Sequence, residues 1–225
     1  MDIQALQRSK AYDLAMGAPL ILWFGWAALR QWPTLLFLMV EMRLGTLDLL
    51  EGLKFFAVAA SVIFNLLLVW LLLVRSTPVL KSRGWLPRFC GFAGTFLGVG
   101  ILQLQARTLS LPWQALADIL IFLGWAGSAF ALSKLGRAFA IMPEARILVT
   151  GGVYAYVRHP LYATEMLALI GIVLQFAQPW ALLLGIAVAA LQVARALFEE
   201  QVLSEAYPEY AGYAARTARF VPYVF

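Results

Sequence analysis

Long apolar runs, broken at intervals by charge, proline or polar clusters, set the pattern of this chain. Runs of spanning length fall at Leu14–Trp32, Gly52–Val74, Leu86–Leu104 and Pro112–Leu132. Each predicts a membrane helix, because about 20 apolar residues cover a hydrocarbon core about 30 Å thick. The segment Pro33–Leu50 carries Glu41, Arg43 and Asp48, and predicts an interfacial or re-entrant helix rather than a clean crossing. Ser133–Pro160 is polar and contains glycine, with Lys134, Arg137, Glu144, Arg146 and Arg158, and predicts a loop that holds a site. After it, Leu161–Gln175 and Pro179–Arg195 predict a helical hairpin turning at Gln178 and Pro179, since proline suits a helix's first turn and interrupts the helix before it. Arms of about 22 and 25 Å return Arg195 to the depth of Tyr162. Tyr207–Phe225 mixes Pro208, Pro222, Arg216 and Arg219 with aromatics, and predicts an interfacial cap.

Composition narrows the class. At 225 residues, 63% hydrophobic and 13% charged, with a mean hydropathy of +0.81, the chain is far from a soluble globular protein. The fold class is all-α: a polytopic membrane bundle forming one membrane domain, with N-terminal transmembrane helices in residues 1–134 and a core with the hairpin, loop and cap in residues 135–225. The N-terminus, MDIQALQRSKAYDL, lacks the order of a cleaved secretory signal, so the first span is expected to stay as an anchor. Cys90 lies in an apolar run and reads as a small buried packing residue.

The net charge of +5 comes from Lys and Arg spread over juxtamembrane positions, with no dense basic run for nucleic acid. With the N-terminus inside and Pro33–Leu50 not crossing, inside segments hold Arg8, Lys10, Arg75, Lys81, Arg83, Arg88, Lys134, Arg137, Arg146, Arg158, Arg195, Arg216 and Arg219. Outside segments hold Arg30, Arg43, Lys54 and Arg107. That bias puts the loop, the hairpin's open end and the cap at the cytoplasmic face.

Chemistry concentrates at two places. One is GGVYAYVRHPLY, Gly151–Tyr162, which holds the chain's only histidine. Arg158, His159, Pro160 and Tyr162 read equally as a juxtamembrane anchor or as a site. The other is Arg195, Glu199 and Glu200. Residues four apart share a helix face, so Arg195 and Glu199 point together and Glu200 points elsewhere. Arg195 follows the apolar run ALLLGIAVAALQVA, so its guanidinium starts near the hydrocarbon boundary and seeks a protein partner or an anionic ligand. No GxxxxGK[ST], GxGxxG or HExxH pattern occurs, and one histidine with one cysteine cannot build a typical zinc site, so no metal is expected. Gly94, Gly98 and Gly100 fit close helix packing. Asn65, Gln103 and Gln105 are candidate interhelical hydrogen-bond partners.

LGRAF, RILVTGGVYAYVRHPLY, the hairpin, RALFEE and EYAGYAARTARFVPYVF recur in this order at fitting separations in one family. Over Leu135–Phe225 the chain resembles the membrane methyltransferases typified by isoprenylcysteine carboxyl methyltransferase, with phospholipid methyltransferases as cousins. The resemblance implies S-adenosylmethionine as cofactor, contacted by Leu148, Val149, Tyr154, His159, Pro160, Leu161, Tyr162 and Glu199. It implies that Arg195 positions the methyl acceptor. Relatives often have glycine where this chain has Thr164, followed by Glu165, and the loop between Phe139 and Val149 is shorter than in eukaryotic relatives.

The leading expectation is methyl transfer to a lipidated or otherwise hydrophobic acceptor reached from the bilayer, with membrane lipids around it. A sulfonium methyl is already activated, so the protein has to align the reactants and exclude water. A carboxylate acceptor brings its own charge, which Arg195 would position. An amine needs a proton sink, with Glu165, Glu200 or His159 as candidates. The arginine tilts the reading toward O-methylation; the alternatives are phospholipid N-methylation, an NADPH-dependent sterol-type reductase and a non-enzymatic scaffold.

Overall fold

The computed structural model describes residues 10–222, mostly helical, with one two-stranded pairing. Arg8, counted among the inside charges, and the last three residues of the expected cap lie outside the described residues. Among those described, four helices are long and apolar enough to cross a membrane: Lys10–Leu44, Leu49–Val74, Leu111–Ala138 and Trp180–Ala206. This is an all-α, multi-pass membrane architecture.

Helix α1 (Lys10–Leu44) packs antiparallel on helix α2 (Leu49–Val74). Gly45, at φ +71°, ends α1 in the left-handed region that glycine tolerates best. Asp48 then caps α2, accepting from the Glu51 amide while the Glu51 side chain accepts from the Asp48 amide. Pro33–Leu50 is therefore not a separate interfacial or re-entrant helix: through Leu44 it continues α1. Pro33 removes one backbone donor, but Leu35 and Leu38 beyond it are buried, and packing carries the helix past the proline. In this continuous helix Arg30 lies mid-helix with its guanidinium over the Trp26 ring.

The span expected at Leu86–Leu104 is α-helical only as α3 (Leu86–Phe96). It continues as a 3-10 helix, Leu97–Gln103. At 1.5 and 2.0 Å per residue the two pieces still rise about 30 Å, one hydrocarbon thickness. Gly94, Gly98 and Gly100 face Leu191, Val188 and Leu184 in turn, so this mixed segment runs antiparallel to α6 (Trp180–Ala206).

Helix α4 (Leu111–Leu135) and helix α5 (Pro160–Gln175) make the tightest contact in the molecule. A Cβ on Gly124 would lie 2.3 Å from the Ala168 amide nitrogen, and one on Gly171 would lie 2.6 Å from the Ala117 carbonyl oxygen. Glycine backbones thus let the two axes approach as in small-residue membrane interfaces. Thr164, where relatives often have glycine, is matched by Gly127: a Cβ there would meet the Thr164 methyl at 2.7 Å. Thr164 also shares a 2.9 Å hydrogen bond with Ser128. A core of Phe24, Phe64, Leu68, Leu72, Leu132, Phe139, Ile141 and Leu161 joins α1, α2, α4 and α5 to the segment after α4.

Helices α5 and α6 form the expected hairpin, but they splay. Helix α5 lies along α4, and α6 lies along α3 and its 3-10 extension. Helix α6 also runs on to Ala206, so Arg195 sits inside it rather than at its end. Asn65 makes no bond between helices; its amide returns to the Ser61 carbonyl at 2.8 Å. Gln105 takes part through its backbone, its carbonyl accepting from the Ala177 amide. Cys90 is a free, buried thiol.

One end of the bundle gathers the polar groups. Asp13 of α1 accepts from Arg75 at 2.9 Å and from Arg146 at 2.7 Å, and Arg146 also donates to Glu144 at 2.7 Å. Strand β1 (Leu80–Lys81) pairs antiparallel with strand β2 (Glu144–Ala145) beside this cluster. Loss of water around the Arg75 guanidinium, and Arg146 nearby, push its pKa below the usual arginine value. The cluster pins the start of α1 and the end of α2 to the loop that leads into the site.

Candidate active site

The segment expected to be one long loop, Ser133–Pro160, is built of short pieces. Ser133 to Leu135 finish α4, 3-10 turns cover Gly136–Ala138 and Gly152–Ala155, and β2 lies between them. Gly152, at φ +63°, sets the second turn. Pro160 opens α5, where its missing N–H would have had no helical partner. The chain thus reaches the bundle end at His159 and enters it at Leu161.

The hairpin brings Tyr162, Arg195 and Glu199 together. The Tyr162 hydroxyl donates to Glu199 Oε1 at 2.5 Å, and Arg195 Nε donates to the same oxygen at 3.2 Å. The Arg195 guanidinium lies 4.9 Å from the centre of the Tyr162 ring, and its Nη2 donates to the Ala140 carbonyl at 3.0 Å. Arg195 is 4% exposed, so this is a buried charge balanced by one carboxylate, one carbonyl dipole and an aromatic face. The shared face of Arg195 and Glu199, read from their spacing, is present.

Glu200 points the other way and organises a second network. It accepts from Arg158 Nε at 2.9 Å and from Arg219 at 3.1 Å through two nitrogens, and His159 Nε2 lies 3.1 Å away. The imidazole is stacked on the Tyr162 ring, with centroids 5.4 Å apart and planes at 11°, so His159 joins the two networks. Arg158 Nη1 donates to the carbonyls of Ala214 and Thr217. Backbone pairing of Val157 with Ala218, and of the His159 amide with the Arg219 carbonyl, fastens the C-terminal segment against the segment before α5.

Helix α7 (Tyr210–Ala214) belongs to that segment and forms part of the pocket wall. Tyr213 donates to the Tyr154 carbonyl at 2.7 Å, and its burial pushes the phenol up to about 12 against the opposing pull of Arg158. Burial raises Tyr154 and Tyr210 above the ordinary phenol value as well. The predicted cap is therefore a structural part of the pocket.

The pocket so enclosed is lined by Leu148, Val149, Tyr154, His159, Leu161, Tyr162 and Glu199, seven of the eight residues expected to contact a cofactor. Pro160 and Arg195 are not on its surface. Pro160 is buried at the head of α5, and Arg195 stands behind Tyr162 and Glu199. Sequence reasoning missed Arg146, Leu203, Tyr210 and Tyr213, which also line it. The three-residue spacing of Tyr207, Tyr210 and Tyr213 was the available signal. Among the described residues, the Tyr210 hydroxyl and Arg146 Nε are buried without a hydrogen-bond partner.

Residues 112–210 match the family described as phospholipid methyltransferase. Over these residues the relationship carried by the motifs is shown. The cobalt-zinc-cadmium resistance protein CzcN of Cupriavidus metallidurans is 32% identical over 111 residues, which is 47% of this chain and 50% of the relative. The chain spans about half the length of that curated relative.

Proposed function

We propose, from the match of residues 112–210 to phospholipid methyltransferases, that this chain is a membrane methyltransferase that uses S-adenosylmethionine and acts on a hydrophobic or lipid-borne acceptor. The observation that carries the reading is the joining of Tyr162, Glu199 and Arg195 behind a pocket walled by the RHPLY segment and the C-terminal cap.

The lining suits S-adenosylmethionine on donor chemistry. Leu148, Val149 and Leu161 offer apolar surface, Glu199 offers a carboxylate for hydroxyls or an amine, and the tyrosines offer aromatic faces to a positive centre. The unpartnered Tyr210 hydroxyl and Arg146 Nε are polar groups on wall residues that the fold leaves unsatisfied, as a ligand with its own donors and acceptors would require. When bound, the cofactor supplies a methyl group already activated on a positive sulfur.

The protein's part is positioning and exclusion of water. Glu199 is held by two donors and His159 by stacking and Glu200, so the wall is pre-organised before any ligand arrives. Arg195 fixes Glu199 and Tyr162 from behind. The splay of α5 from α6 supports a route by which a bilayer acceptor would approach the same pocket. The positive-inside bias supports a cytoplasmic opening, where S-adenosylmethionine is made available.

The test is equilibrium binding of labelled S-adenosylmethionine to the protein in lipid nanodiscs. Wild type binds, and Glu199→Ala loses at least tenfold in affinity. No binding by wild type, or equal binding by both proteins, ends the reading.

A further inference from the structure

Three carboxylates stand around the hairpin, and the structure separates their roles. Glu200 is held by Arg158, Arg219 and His159, and Glu199 by Tyr162 and Arg195. Both are already engaged by donors of the protein. His159 is likewise engaged, between Glu200 and the Tyr162 ring. Glu165 is different.

Glu165 lies three residues beyond Tyr162 on α5, about 4.5 Å deeper in the bundle. Gln192 lies three residues before Arg195 on α6, at the matching depth, and its amide donates to Glu165 Oε2 at 2.6 Å. That amide gives the one hydrogen bond this carboxylate receives among the described residues; Arg195, nearby on α6, directs its own hydrogen bonds to Glu199 and the Ala140 carbonyl. Gln192 is 5% exposed, and its own carbonyl oxygen has no partner among the described residues. On α3, Gly94 packs against this amide: a Cβ there would be in contact with Gln192 Oε1, at 3.4 Å. A buried acceptor without a partner, beside a carboxylate held by a single amide, is costly at membrane depth unless a donor-rich group meets them.

We propose, resting on the methyl-transfer reading, that Glu165 binds the charged amine of the acceptor and takes its proton, with Gln192 as the residue that positions it. A protonated amine offers donors to the Glu165 carboxylate and to the Gln192 oxygen and brings the opposite charge. A carboxylate acceptor fits this level poorly. It would bring a third negative group beside Glu165 and Glu199, while Arg195 already gives Nε to Glu199 and Nη2 to the Ala140 carbonyl. The ionisable groups around Glu165 are Arg195 and Glu199 on α6 and Tyr162 on α5; α3 and α4 present Gly94, Gly127 and Ser128 near this level, and none of these titrates.

The step balances. The ammonium nitrogen gives one proton to the Glu165 carboxylate and regains its lone pair. That pair forms the new nitrogen–carbon bond as the carbon–sulfur bond breaks, its electrons staying on sulfur. The product is a methylated ammonium, and Glu165 then returns its proton to water.

The experiment uses the full chain in phosphatidylcholine nanodiscs, with empty discs as background. Labelled dodecylamine, without cofactor, binds wild type at least tenfold more tightly than Glu165→Gln, while dodecanol binds the two equally and S-adenosylmethionine affinity is unchanged. With both ligands present, Glu165→Gln methylates dodecylamine at least tenfold more slowly and its residual rate lacks the acid limb of the wild-type pH profile, and Glu165→Asp keeps that limb at lower kcat. If Glu165→Gln does not fold, Gln192→Met is read instead, with weaker amine binding expected. Equal amine binding by wild type and these variants overturns the proposal. So does a base-labile dodecanoate ester as the only methylated product, which leaves the methyl-transfer reading standing. Absence of S-adenosylmethionine binding by wild type overturns both.

Discussion

Tyr162 and Glu199, 37 positions apart in sequence, share a 2.5 Å hydrogen bond that closes the hairpin of α5 and α6 at the pocket wall. The two arms otherwise pack on different neighbours, so this bond, the Arg195 contact beside it and the Gln192–Glu165 bond one level deeper hold the wall in register. Their removal has separable effects.

Glu199→Ala leaves the buried Arg195 guanidinium without its carboxylate, a change of about 3–5 kcal/mol for a buried pair broken on one side. Tyr162→Phe removes only one hydrogen bond, about 1 kcal/mol, and keeps the aromatic face under Arg195 and His159. Thermal unfolding in detergent should rank wild type above Tyr162→Phe above Glu199→Ala. A reversed order would place the pocket's stability elsewhere.

Gly127 and Thr164 should behave as a matched pair. Gly127→Ala puts a methyl into the Thr164 side chain and is expected to cost about 1–3 kcal/mol by overpacking. Combining it with Thr164→Gly restores room, and the double variant should be less destabilised than the sum of the singles. A double-mutant cycle with no coupling would contradict the contact.

Asp13→Asn removes the one carboxylate that bridges Arg75 and Arg146. Two buried guanidinium groups then lose their common partner, with a loss of about 3–5 kcal/mol. Hydrogen exchange should rise around residues 75–82 and 143–147, where the cluster ties α1 to the site loop. Unchanged exchange in those segments would mean that the cluster is not their anchor.

The cap should loosen at alkaline pH. Tyr213 is a buried phenol held at about 12, against about 10 for an unfolded tyrosine. Its contribution is complete below about pH 10 and is lost as pH rises toward 12, because the unfolded phenol ionises first. Exchange of the backbone amides in residues 210–219, followed from pH 9 upward, reports this. In Tyr213→Phe that pH-dependent part should vanish.

The sequence by itself determined the class and picked out much of the pocket's lining. Apolar runs long enough to span, with charge between them, leave a chain few options other than membrane helices, since a bilayer demands internally satisfied backbone. Helical spacing put Arg195 and Glu199 on one face and Glu200 on another, and the order of the RHPLY and RALFEE motifs marked the pocket. Boundaries were less legible. Pro33 and the charges after it read as a break, but burial of Leu35 and Leu38 keeps α1 continuous, and α3 slackens into a 3-10 helix at a glycine-rich stretch whose length alone suited a span.

Tertiary structure decided what distant residues do to each other. Which carboxylates are neutralised by cations and which one is left to a single amide depends on how α5 splays from α6 and where the cap folds back. Tyr210 and Tyr213 became pocket residues only through that return. Periodicity assigns a side chain to a face of its own helix. The charge that faces it is set by packing between helices, which local spacing does not encode.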